Sequence, residues 1–232
     1  MEAVVMAAGE GIRLRPLTER WPKPVLPIDG RPVLATLLRE LAAAELRRVW
    51  LVTGYLAEQV EQLAGDGSAF GLEVRGVRQP AVLGSADAVQ RALAAGAVVP
   101  LVVTAADTLF RRGDVARFAE EFRTANPAGA VAVRTDPPPG PGRHAIRRSD
   151  GRVLAMRDED PANPWSGAPL WGIGPDVAER LGLDRPPYEL GNAFQSAVED
   201  GHTILAVEIG KTRDLTYPLD LVKENLPYLQ AT

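Results

Sequence analysis

The chain has 232 residues, enough to bury a sizeable core as one α/β domain or two small ones. It is 46% hydrophobic and 24% charged, with a net charge of −4. It shows no apolar run approaching the ~18 residues of a membrane span, no leader, and no broad basic surface for nucleic acid, so a cytoplasmic protein without membrane or nucleic-acid partners is expected. The absence of cysteine excludes disulfides, thiolate zinc sites and cysteine nucleophiles. His144 and His202, the two histidines, are far apart and disfavour a histidine-based metal cluster or triad. Any metal then falls to carboxylates, which favours Mg²⁺.

The elements can be read in chain order. Residues 3–7 predict a strand and 32–46 a helix opened by Pro32 at its first helical position. A strand at 48–54 ending in a glycine turn, a helix at 55–64 and a strand at 72–77 follow. Residues 85–96 predict a helix with a serine start and a glycine stop. Then come a buried strand at 98–107, a helix at 115–125 and a strand at 129–135. This βαβα order predicts an α/β, Rossmann-like fold: a mainly parallel, mixed sheet with helices on both faces and ligands at the carboxyl ends of the strands.

The style changes after DPPPGPG (136–142). HAIRRS, an Asp150-Gly151 turn and RVLAMRD predict a β-hairpin. A strand at 166–174, helices at 175–181 and 189–200, a strand at 202–209 and a closing helix at 218–229 complete the chain. Neither half closes on its own, so the proline-rich stretch reads as a surface loop within a single domain, 1–232. That domain divides into a core (1–135), a smaller α+β lobe (136–210) and a closing segment (211–232).

The stretch AAGEGIRLRPLTERWPKPVLP (7–27) directly follows the first strand. A dinucleotide fingerprint needs a third glycine where Leu14 stands, and the Gly-Lys-Ser/Thr of a P-loop is absent. What remains is a glycine-rich turn followed by Arg13, Arg15 and Lys23, one of only three lysines in the chain. Glycines let backbone N–H groups approach an anion, and the cations add charge against phosphates. Pro16, Pro22 and Pro24 stiffen the segment around Lys23. The plain alternative is a surface loop whose cations face water.

GEGIRLRPLTERWPKPVLPI resembles the signature of the sugar-1-phosphate nucleotidylyltransferases, G-x-G-x-R-L-x-P-L-T followed by P-K-P. Alanine stands at position 8 for the usual glycine, and isoleucine at 12 for threonine. The resemblance implies that Ala7, Ala8, Gly9 and Gly11 wrap the triphosphate while Arg13 and Lys23 act on its phosphates. QPAVLGSADAV (79–89) resembles the family's nucleobase segment, which makes Gln79, Gly84 and Ser85 nucleotide contacts. Ser85 also suits a plain helix cap. LVVTAADTLF (101–110) resembles the strand that ends at a metal-binding aspartate, here Asp107, though an aspartate there also suits a turn. GKTRDLTYPLDLVKENL (210–226) resembles the family's closing motif, with Asp214 as second metal ligand; Thr212 replaces its tryptophan and Thr216-Tyr217 its Gly-Thr.

The acceptor lobe departs most. Where the family has E-K-P this chain has MRDEDPANP (156–164), so Asp158 or Glu159 takes the glutamate's place and the lysine is missing. Gly167, Trp171 and Glu189 are further sugar contacts implied by the resemblance, though such residues are equally common in cores and on surfaces. The implied reaction joins an NTP, UTP or dTTP favoured, to a sugar 1-phosphate with Mg²⁺, giving an NDP-sugar and pyrophosphate; Arg13, Lys23 and Asp107 are the catalytic residues. Alternatives are cytidylyl transfer to phosphocholine or another non-sugar phosphate, and a non-catalytic nucleotide-sugar-binding subunit. The chain's end soon after the closing helix implies no hexapeptide-repeat domain.

Overall fold

The computed structural model describes residues 1–140, 143–182 and 188–231. The chain opens with β1 (Glu2–Ala7), whose Ala3, Val4 and Val5 are fully buried, as a strand covered on both faces requires. Short 3₁₀ turns, among them Ile12–Leu14 and Lys23–Val25, and the small strands β2 (Pro27–Ile28) and β3 (Arg31–Pro32) lead into α1 (Val33–Ala43). Next come β4 (Arg48–Thr53), α2 (Ala57–Ala64), β5 (Glu73–Arg78), α3 (Ser85–Ala94), β6 (Leu101–Ala105), β7 (Thr108–Leu109), α4 (Asp114–Ala125) and β8 (Gly129–Arg134). The second half holds β9 (Ala145–Ser149), β10 (Arg152–Asp158), β11 (Ser166–Ile173), α5 (Pro175–Ala178), α6 (Leu190–Glu199), β12 (Ile204–Glu208), β13 (Arg213–Asp214) and α7 (Pro218–Ala231).

Nine strands form one sheet in the order β5-β4-β1-β6-β11-β8-β12-β10-β9. The first four are mutually parallel, as the βαβα alternation predicts. β11 then inserts antiparallel between β6 and β8, so strands from both sides of residue 136 share a single mixed sheet. The hairpin β9–β10 forms at the edge, with Asp150 and Gly151 both at positive φ (49° and 72°), as its two-residue turn demands. Helices cover both faces. Leu34, Leu38, Val60 and Phe118 of α1, α2 and α4 pack on one; Val89, Val177, Leu190 and Phe194 of α3, α5 and α6 pack on the other. Among the described residues no helix is long and apolar enough to cross a membrane.

From β1 the chain moves outward to β4 and β5, then crosses back to β6 on β1's other side. The carboxyl ends of β1 and β6 therefore bound a crevice at which the strand order reverses, where open α/β sheets bind ligands. The Ala106 N–H donates to the Met6 carbonyl at 2.9 Å and ties those ends together. Both the glycine-rich loop and Asp107 emerge there.

Two local expectations are corrected. Ser85 does not cap α3, whose N-cap is Gly84 with no side-chain bond. Its hydroxyl accepts the Leu190 N–H at 2.8 Å and so caps the start of α6, which lies 105 residues downstream. The helix predicted over 175–181 is also shorter, ending at Ala178.

Candidate active site

The glycine-rich loop is anchored by contacts remote in sequence. Gly11 sits at φ 63°, and a Cβ there would lie 2.9 Å from Thr18 Cγ2, so only glycine fits. Fully buried Thr18 donates its hydroxyl to the Gly11 carbonyl at 2.9 Å and accepts from Tyr55 Oη at 2.8 Å through its own carbonyl. Gly9 is different. A Cβ there would meet nothing within 4 Å, which leaves its backbone open to a ligand. Leu14, Leu26, Ile28 and Val33 pack with Leu109 and Leu215 in a separate small core, which fastens the loop to the segments carrying Asp107 and Asp214.

That core explains how two aspartates distant in sequence come to line one cavity. β13 pairs antiparallel with β7, placing Asp214 opposite Thr108, next to Asp107. Arg213 clamps the short strand from its other end through ion pairs with Asp29 and Glu224. Asn225 of α7 accepts the Gly30 N–H at 3.0 Å and donates to the Pro27 carbonyl at 2.9 Å, closing α7 onto β2–β3.

Two cavities meet at these residues. One, of 510 Å³, is lined by Ala7, Gly9, Gly11 and Val82. The other, of 800 Å³, is lined by Gly167, Trp171, Glu189 and Asp214. Arg13, Lys23, Asp107 and Thr216 line both. At this seam Lys23 Nζ lies 2.7 Å from Asp107 Oδ2, with the lysine side chain only 14% exposed. Asp214 Oδ1 accepts from Thr216 Oγ1 at 2.8 Å. Among the described residues no set of three or more acidic or histidine side chains gathers as a metal cage. Two carboxylates beside these cavities do suit a hard cation that keeps water and substrate oxygens as its other ligands, which is how Mg²⁺ is commonly held.

The base segment is built around Gln79, which is 3% exposed and lines neither cavity. Its Nε2 donates to the Gly84 carbonyl at 3.1 Å and to Asp87 Oδ2 at 2.7 Å, and Arg91 Nε reaches the same carboxylate oxygen at 2.7 Å. A carboxylate only accepts, so the amide nitrogen must face Asp87. Both amide hydrogens are thereby committed, and Oε1 is left without a donor among the described residues. Gly84, at φ 119°, would carry a Cβ 2.4 Å from the Tyr188 carbonyl oxygen, so this turn excludes any side chain.

The nucleotidyl transferase family profile matches residues 2–163, which takes in the loop, the Gln79 segment and Asp107. Glucose-1-phosphate thymidylyltransferase of Streptomyces griseus is 30% identical across all of this chain and 67% of its own length. The chain belongs to the nucleotidyl transferase family. Mannose-1-phosphate guanylyltransferase of Mycobacterium tuberculosis is 31% identical over 96% of the chain. The chain spans about two thirds of the length of these relatives. A UDP-glucose pyrophosphorylase structure from Acinetobacter baumanii shares the fold, with a TM-score of 0.76 and 20% identity over 98% of the chain and 92% of its own.

In this nucleotidyl transferase the wall of the larger cavity differs from the sequence reading. Gly167, Trp171 and Glu189 line it, and Glu189 accepts from Ser85 Oγ at 2.6 Å. Asp158 and Glu159 are not among its lining residues. Asp158 instead accepts from Asn163 Nδ2 at 2.8 Å. From the same strand, β10, Ala155, Met156 and Arg157 face the cavity. Arg134, Arg143 and His144 also line it, none of them a site residue expected from the sequence. An arginine ending the apolar strand GAVAV was the available signal for Arg134. Burial holds its pKa down at about 10, against the pull of Asp214; Arg143 lowers it further and Asp136 raises it.

Proposed function

We propose that this protein transfers a nucleotidyl group from an NTP to a sugar 1-phosphate, forming an NDP-sugar and pyrophosphate. The observation that carries the reading is the Lys23–Asp107 pair at the seam of two cavities, with Asp214 beside it. The smaller cavity, walled by the glycine loop, takes the triphosphate; the larger takes the acceptor. An acceptor phosphate oxygen attacks the α-phosphorus in line, the bond to the bridging α–β oxygen breaks, and pyrophosphate leaves with that electron pair. The attacking oxygen is already anionic, so no general base is needed. Arg13 and Lys23, lining both cavities, hold the two phosphates together and neutralise the charge that develops between them. Asp107 and Asp214 would hold Mg²⁺, which supplies further charge neutralisation between the phosphates.

Base preference follows from the locked Gln79 amide. An uncommitted Oε1 favours bases with a ring N–H on the Watson–Crick edge: uracil, thymine and guanine, over cytosine and adenine, whose corresponding nitrogen accepts. This supports UTP, dTTP or GTP over CTP and ATP and counts against cytidylyl transfer to phosphocholine. The test is pyrophosphate release with Mg²⁺, each of ATP, GTP, CTP, UTP and dTTP, and a panel of sugar 1-phosphates plus phosphocholine. Release requiring UTP, dTTP or GTP and a sugar 1-phosphate is expected. Release only with CTP and phosphocholine, or from no pair at all, would overturn the proposal.

A further inference from the structure

The larger cavity contains a cation that the scheme above does not use. Arg134 closes β8 and is 2% exposed, yet it lines the cavity. Its backbone is fixed, because the Arg134 carbonyl lies 3.4 Å from the Ser166 hydroxyl and the two residues pair across β8–β11. Its Nε and Nη1 have no hydrogen-bond partner among the described residues. The acids that act on it from a distance are engaged elsewhere: Asp136 pairs with Lys211 at 3.3 Å, and Asp214 accepts from Thr216. Neither forms an ion pair with it among the described residues. Arg143, from the adjoining loop, adds positive charge on the same wall.

A guanidinium has only donors to offer, and a buried one with donors unmet is unfavourable unless an anion completes it. Arg134 lines only the larger cavity, whereas Arg13 and Lys23 line both, so its anion belongs to the ligand of the larger cavity. We infer that Arg134, seconded by Arg143, is the receptor for the acceptor's phosphate group. The anion site stands on the geometry of Arg134; naming its ligand as a sugar 1-phosphate rests on the nucleotidyl-transfer reading.

Three measurements on wild type, Arg134→Met and Arg134→Lys test this. In Arg134→Met, KM for the sugar 1-phosphate should rise about 30-fold or more while KM for the NTP changes less than about 2-fold; Arg134→Lys, which keeps the charge but not the fork, should fall between. Inorganic phosphate should raise the Tm of wild type and not that of Arg134→Met. Without ligand, Arg134→Met should melt no lower than wild type, since it removes an unpaired buried charge. Unchanged acceptor KM and phosphate response in Arg134→Met would overturn the inference. So would a lowered Tm with both substrates equally impaired, the mark of a structural arginine. If Arg134→Met fails to fold, Arg134→Lys decides through the same split between the two KM values. If wild type turns over no substrate pair yet its phosphate response vanishes in Arg134→Met, the anion site stands and the nucleotidyl-transfer reading falls.

Discussion

Arg13 and Lys23 both line the seam between the cavities, but they are bound to the protein differently. Lys23 is paired with Asp107, while Arg13 is exposed and forms no ion pair among the described residues. Arg13→Ala should therefore cut kcat/KM by about 10²- to 10³-fold, as loss of a transition-state charge donor does, and leave Tm unchanged. Near-normal turnover in that variant would remove Arg13 from the chemistry. Gln79 is held by a partner the ligand need never touch. Asp87→Asn would let the Gln79 amide turn over and present either atom, so the preference for UTP or dTTP over CTP should fall about tenfold, the worth of one hydrogen bond. Comparing kcat/KM for each NTP in the variant checks it; an unchanged ratio between UTP or dTTP and CTP would mean that Gln79 does not read the base.

Among the elements, β13 is the least able to stand alone. It is a two-residue strand, held by pairing to β7 on one side and by the Arg213 clamp on the other. Asp29 and Glu224 raise the Arg213 pKa above its ordinary value, and Arg213 in turn lowers that of Asp29, so the Arg213–Asp29 pair stays charged at neutral pH. It holds the two-residue strand that carries Asp214. Arg213→Ala should raise the Mg²⁺ concentration needed for half-maximal turnover several-fold, with a smaller effect on KM for the NTP. An unchanged Mg²⁺ requirement would show that β7 alone positions Asp214.

The whole sheet has an acid-sensitive fastening at its other end. Glu2 accepts from Trp50 Nε1 and Arg48 Nη1, each at 2.7 Å, and from the Val98 N–H at 3.3 Å, joining β1, β4 and the approach to β6. Burial alone would raise the Glu2 pKa, but these hydrogen bonds outweigh it and hold the carboxyl below its ordinary 4.5. A lowered folded pKa means the contribution is complete above the unfolded value and disappears as pH falls through the folded one. Between about pH 5 and about pH 3, wild type should therefore lose more Tm than Glu2→Gln. Parallel pH slopes for the two proteins would show that the network adds nothing.

The sequence by itself was sufficient for most elements and for the hairpin at Asp150-Gly151. Those properties reside in periodicity, turn chemistry and residue type over a few neighbouring positions. Tertiary structure alone decided the rest. It inserted β11 antiparallel between β6 and β8, and it set Asp214 opposite Thr108. It turned the Ser85 hydroxyl to a helix 105 residues away. It also buried Arg134 in a cavity wall with its donors unmet. Each of these depends on which strand or helix arrives alongside. That is settled by burying two apolar faces against one sheet, a global condition that no local window of sequence contains.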